Sequence, residues 1–154
     1  MKHIIRLLIY VLVSTGIITL DQLTKQLALA HLETPLELFR GLSLVLTKNR
    51  GISWGMLYAN SSLSFILLGL LVASVIGILA FHTYDKWRQR QSVIGEFLVL
   101  SGALSNLFDR VFYQGVVDFI EFSCCGWYWP AFNLADCAIV VGVGIMLYEY
   151  WNNN

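Results

Sequence analysis

A chain of 154 residues that is 57% hydrophobic and only 13% charged, with a mean hydropathy of +0.67, is too apolar for water. A soluble domain carries about a quarter charged residues, so composition places the chain in the membrane class. The formal net charge of +0 gives no support to nucleic-acid binding, and the length suits a single domain over residues 1–154.

Along the chain, Lys2 and Arg6 lead an apolar run that ends near Leu20. A basic start, an apolar stretch and Ala28-Leu29-Ala30 also fit a cleaved secretory signal. The rest of the chain does not read as a secreted globular domain, so the run is expected to stay as a first transmembrane helix. From Asp21 to Pro35 apolar residues recur at helical spacing among polar ones, which predicts an amphipathic interfacial segment. Gly41 to Thr47, GLSLVLT, partly alternates and predicts a strand. Lys48-Asn49-Arg50-Gly51 reads as a turn, and Ile52 to Met56 as a second strand or loop of a small sheet against the membrane.

Ser61 to Tyr84 has no fixed charge before its end and is long enough to cross a bilayer. A short basic loop follows, TYDKWRQRQ. Ser92 to Phe108 is weaker, broken by Glu96 and by SGALSN; its small and polar residues suit a helix packed inside a bundle. Gly115 to Asn133 is expected to be a loop, and Leu134 to Trp151 a last span with Tyr148, Tyr150 and Trp151 as an interfacial anchor. The predicted fold is an all-α integral membrane protein of four transmembrane helices, with a small extracytoplasmic β-cradle. Lys2, Arg6, Lys86, Arg88 and Arg90 are concentrated in short segments on the side of the termini. The positive-inside rule therefore makes that side cytoplasmic.

Two carboxylates stand in apolar surroundings, Asp118 in Val-Val-Asp-Phe-Ile and Asp136 one turn into the last span. Ionisable groups at membrane depth are functional candidates by default. In a partly dry pocket a carboxyl pair keeps one proton. The charged member activates a water; the protonated one polarises a carbonyl and then supplies a proton to the leaving amine. Such chemistry asks for no covalent intermediate, cofactor or metal. Each aspartate also has a structural reading. With Asn133 as N-cap, Asp136 falls at N3 and complements the helix dipole; Asp118 fits an interfacial position. Asp21 and Lys25, four apart, fit a helix-surface pair, and Asn49 fits turn chemistry. Asn106 and Arg110 share a helix face, where Arg110 can meet a phosphate or a peptide carbonyl. Cys124, Cys125 and Cys137 form no metal or redox spacing.

Five stretches in order carry a resemblance: Asp21-Gln22-Leu23-Thr24-Lys25, Asn49-Arg50-Gly51, Gly102 to Arg110 (GALSNLFDR), Val117-Asp118-Phe119 and Phe132-Asn133-Leu134-Ala135-Asp136. The chain resembles the type II signal peptidases, the bacterial prolipoprotein signal peptidase family. The resemblance implies an aspartyl endopeptidase of the inner membrane, with its active site at the extracytoplasmic face. It would cut prolipoproteins before a diacylglyceryl-cysteine and be inhibited by cyclic peptides such as globomycin. It assigns the acid/base pair to Asp118 and Asp136, and support or substrate contact to Asp21, Lys25, Asn49, Gly51, Asn106, Arg110 and Asn133. The partners implied are the lipidated substrate and membrane lipids. Departures fall at Ser101, Ser105, Ile52, Ser53 and Trp54, where the family favours Gly or Ala, or at the last position Phe. They bear on substrate range more than on chemistry. Two rivals stay open: a catalytically altered prolipoprotein binder, and a small proton-coupled carrier, against which stands the lack of an internal repeat. Trp127, Tyr128 and Trp129 read as a lid over a lipid-facing cleft.

Overall fold

The computed structural model describes residues 2–51, 59 and 61–152. Ile52 to Met56, read above as strand or loop, lie outside them, as do the departures at Ile52, Ser53 and Trp54. Among the described residues, four helices, α1 (Lys2–His31), α2 (Ser62–Arg88), α3 (Ile94–Tyr113) and α4 (Leu134–Asn152), accompany four strands. The strands are β1 (Leu36–Phe39), β2 (Leu42–Asn49), β3 (Val116–Cys124) and β4 (Trp127–Tyr128), paired antiparallel in the order β1-β2-β3-β4.

The molecule is apolar outside and polar within. Lys25, Glu96, Asp21, Asp109 and Asn133 are among its most completely buried side chains, while Leu12, Ile78, Val140 and Leu147 lie exposed. That inversion suits a chain whose surface meets hydrocarbon. α1, α2 and α4 are each long and apolar enough to cross a membrane. α3 carries Glu96, Asp109 and Arg110 and packs against the other three, as its small and polar residues suggested.

Three expectations need correcting. Residues 21–31 are no separate interfacial segment: α1 runs through them unbroken, because no helix breaker intervenes before Pro35 and Asp21 and Lys25 turn inward. Residues 116–128 are not loop but β3 and β4. The run VVDFIEF does not alternate cleanly because its first half is buried on both faces. The turn between them, Cys125-Gly126, has φ of +52° and +82°, the signature of a two-residue type I′ hairpin. Lys48 and Asn49, read as turn, close β2, and β1 escaped the sequence reading.

Contact between α3 and α4 is set by missing side chains. A Cβ on Gly102 would lie 2.3 Å from the Ala135 carbonyl oxygen, and one on Gly142 would lie 2.6 Å from that of Gly95. By contrast, a Cβ on Gly16 or Gly77 would meet nothing within 4 Å. Gly102→Ala is therefore expected to cost about 1–3 kcal/mol through forced helix separation, whereas Gly16→Ala and Gly77→Ala leave stability equal or higher. Thermal unfolding of the purified variants in detergent checks the contrast.

Candidate functional site

The site is built where the C-terminal parts of α1 and α3, the start of β3 and the start of α4 meet. Lys25 is wholly buried, and its ammonium group uses all three donors. It contacts Asp21 Oδ2 at 2.6 Å, Asp109 Oδ2 at 2.7 Å and Asn106 Oδ1 at 2.8 Å. Asp21 in turn accepts from Ser105 Oγ (2.6 Å) and from the Ala135 backbone N–H (2.9 Å). Asp109 accepts from Gln22 Nε2 (2.8 Å) and the Val117 N–H (3.2 Å). One cation thus ties α1, α3, β3 and α4 together. The Asp21–Lys25 pair is no helix-surface pair, as spacing alone allowed, but the centre of the interior.

Asn106 carries this order to the carboxylates. Its Oδ1 faces Lys25, so its Nδ2 is left to donate to Asp136 Oδ1 at 2.8 Å. Asn133 touches both aspartates: Nδ2 donates to Asp118 Oδ1 at 2.7 Å, and its backbone N–H donates to Asp136 Oδ2 at 3.2 Å. Asn133 Oδ1 accepts from the Asp136 N–H at 2.9 Å, which completes a reciprocal helix cap. The N-cap reading of Asn133 and Asp136 therefore holds together with their place in the site. Asn133 is itself positioned by the backbone of Phe132, which exchanges hydrogen bonds with Ile120, two residues from Asp118.

Asn49, at the end of β2, donates from Nδ2 to Asp118 Oδ2 at 3.2 Å and accepts from the Gly51 N–H at 2.9 Å, so it serves turn and site together. Arg110 donates to the carbonyls of Asn106 (3.1 Å) and Gly51 (3.0 Å). Burial, and after it the charge of Asp136, push the Asp118 carboxyl up to about 7.

These groups line a cavity of about 720 Å³. Asn49, Asn106, Arg110, Asp118 and Asp136 supply its polar patch; Val72, Phe122, Ile139 and Val140 are among its apolar walls. Trp127 and Trp129 stand edge to face beside it at 5.5 Å, while Tyr128 faces outward. Ser101 and Ser105 are buried between helices and do not line the cavity. All nine residues singled out from sequence lie in one connected network. Gln22 and Asp109 were not named as site residues, and Ser105 was noted only as a departure. Asp109 stands four residues from Ser105, on the helix face that meets α1, a periodicity that could have flagged it.

An apolar-surfaced helical bundle with two carboxyl groups, each held by asparagines, on a mostly apolar cavity is the arrangement of a membrane enzyme. Residues 13–152 match the family described as Signal peptidase (SPase) II. The lipoprotein signal peptidase of Syntrophotalea carbinolica is 36% identical over 151 residues, covering 94% of this chain and 92% of the relative. That of Thermodesulfovibrio yellowstonii is 35% identical over 135 residues, covering 86% and 88%. A bacterial membrane enzyme solved by the in meso method at 2.3 Å resolution superposes with a TM-score of 0.76 at 22% identity, over 94% of this chain and 88% of that one. The chain belongs to the signal peptidase II family.

Two outcomes follow from the geometry. Lys25→Met leaves Asp21 and Asp109 buried without their cation, and a loss of about 3–5 kcal/mol is expected; an unchanged thermal midpoint would show that the knot is dispensable. Asp118 behaves oppositely to an ion-paired carboxylate. Its folded value, about 7, exceeds its ordinary 3.8, so the folded state holds a proton that the unfolded chain has lost. Its contribution is full at low pH, declines as pH rises from about 4 to about 7 by at most ~1.4 kcal/mol per unit, and is flat above. Thermal melts across pH are expected to show this decline in the native chain relative to Asp118→Asn.

Proposed function

We propose that this chain is a membrane aspartyl endopeptidase that removes the signal peptide of lipid-modified prolipoproteins, cutting before the diacylglyceryl-cysteine. The observation that carries the reading is the placing of Asp118 and Asp136 on one cavity by shared contacts with Asn133. With a single proton between them, one carboxylate deprotonates an attacking water. The other polarises the scissile carbonyl and protonates the departing amine. The proton belongs to the pair, which titrates jointly. Arg110, held by two carbonyls and facing the cavity, is suited to a peptide carbonyl of the substrate. The apolar walls suit acyl chains and the signal peptide, and Trp127 and Trp129 suit a lid. A cyclic peptide such as globomycin would compete for the same space.

In this reading α3 is a fourth span, buried among the others. Both termini lie on the cytoplasmic side of a bacterial inner membrane, and the sheet with the carboxyl pair lies at the extracytoplasmic face. The concentration of Lys2, Arg6, Lys86, Arg88 and Arg90 in short segments supports that orientation. Among the described residues the departures at Ser101 and Ser105 sit off the cavity wall, so neither blocks the groove as the silent-binder reading requires.

A cleavage assay with lipidated and non-lipidated prolipoprotein tests the proposal. The native chain is expected to cut only the lipidated form. Asp118→Asn and Asp136→Asn should each lose at least about a thousandfold in rate while keeping their helical circular dichroism. Turnover within tenfold of native by either purified variant would sink the pair.

A further inference from the structure

A second cavity of about 540 Å³ opens between α2 and α3 and shares Arg110 with the first. Its polar groups gather at one end. Arg50 follows β2, Ser62 begins α2, and Gln114 is the left-handed C-cap of α3. From there its wall descends α2 through Phe65, Ile66, Gly69, Leu70 and Ala73. From Ser62 to Ala73 the helix rises about 16 Å. Ile66, Leu70 and Val111 are more than half exposed, so the groove opens sideways toward the surroundings of the bundle.

The polar end is cationic and incompletely satisfied. Among the described residues, Nε of Arg50 and Nε of Arg110 are both buried with no hydrogen-bond partner, and neither guanidinium forms an ion pair. The Arg50 guanidinium lies over the Phe65 ring, 5.1 Å from its centroid. Buried donors without acceptors are costly and call for a partner. The N-terminus of the 27-residue α2 adds positive potential at the same end. Cations above a lateral apolar groove match one ligand shape, a phosphate with acyl chains below it.

We propose that this groove binds a membrane phospholipid, its phosphate against Arg50 and the start of α2 and an acyl chain along Phe65 to Ala73. The proposal rests on α2 being a membrane helix and not on the carboxyl chemistry. Because Arg110 borders both cavities, a bound lipid would steady the arginine that faces the substrate. A free anion would meet the charges but leave the apolar wall bare, and a neutral diacyl lipid would do the reverse.

Native mass spectrometry of the delipidated full chain in detergent tests this with phosphatidylglycerol, diacylglycerol of the same chains, and glycerol phosphate. One phosphatidylglycerol should be retained, with diacylglycerol bound about tenfold more weakly and glycerol phosphate not at all. Arg50→Gln should weaken phosphatidylglycerol about tenfold. Gly69→Leu should displace it by filling the groove; a Cβ there meets nothing within 4 Å, so the helix accepts the change. Circular dichroism of both variants confirms folding. Equal retention of diacylglycerol and phosphatidylglycerol, binding of glycerol phosphate alone, or undiminished phosphatidylglycerol binding in folded Arg50→Gln would each overturn the proposal. None of these results depends on cleavage, so the lipid site and the peptidase reading fail separately.

Discussion

An ammonium group shut away from water sets the terms for this molecule. Lys25 is affordable only because two carboxylates and an amide oxygen meet it at hydrogen-bond distance. Those partners come from two helices, and the same carboxylates take backbone N–H groups from the start of β3 and the start of α4. Removing any one of these groups would leave a charge or a donor stranded. The knot is therefore less a source of adhesion than a demand for one arrangement of elements. Because Asn106 must offer its oxygen to the cation, its amide is committed to Asp136. Charge burial at one point is converted into side-chain orientation at the next.

The remainder of the bundle obeys a simpler logic. With hydrocarbon-like side chains outside, no hydrophobic force distinguishes the inside, and helices associate by close approach and polar pairing. Gly102 lets α3 touch α4 at the residue before Asp136, while Lys86 joins Glu96 and Glu149 at the opposite end. Polar clamps at both ends and backbone contact between them hold α3 in the middle of the fold.

Much of this was legible in the chain. The long apolar runs marked α2 and α4, and the two aspartates were conspicuous for being where charge is expensive. The motifs in their order pointed to the residues that share one network with the aspartates. What could not be read were pairings across great sequence distance. Asp21 and Lys25 sit at i, i+4, so the sequence offers an exposed pair as readily as a buried one. Only Asp109, 84 residues on from Lys25, decides between them. The same ambiguity turned residues 21–31 into a supposed surface segment, since an inward polar face and an outward one have the same period. β3 was hidden for the reverse reason: a strand covered on both faces has no alternation to see.

The unbroken length of α1 has a consequence for the surroundings of the enzyme. Thirty residues of helix span about 45 Å, against a hydrocarbon layer of about 30 Å. With the amino end held at one interface, Lys25 falls about 35 Å along the axis, just past the far edge of the oil. In the proposed orientation the helix would act as a depth gauge that sets the carboxyl pair at the boundary between acyl chains and headgroups. A bilayer a few ångströms thicker would draw that boundary over the site, and a thinner one would lift the cleft clear of the lipid it has to meet. A site placed in that way would respond to membrane thickness as well as to its own side chains.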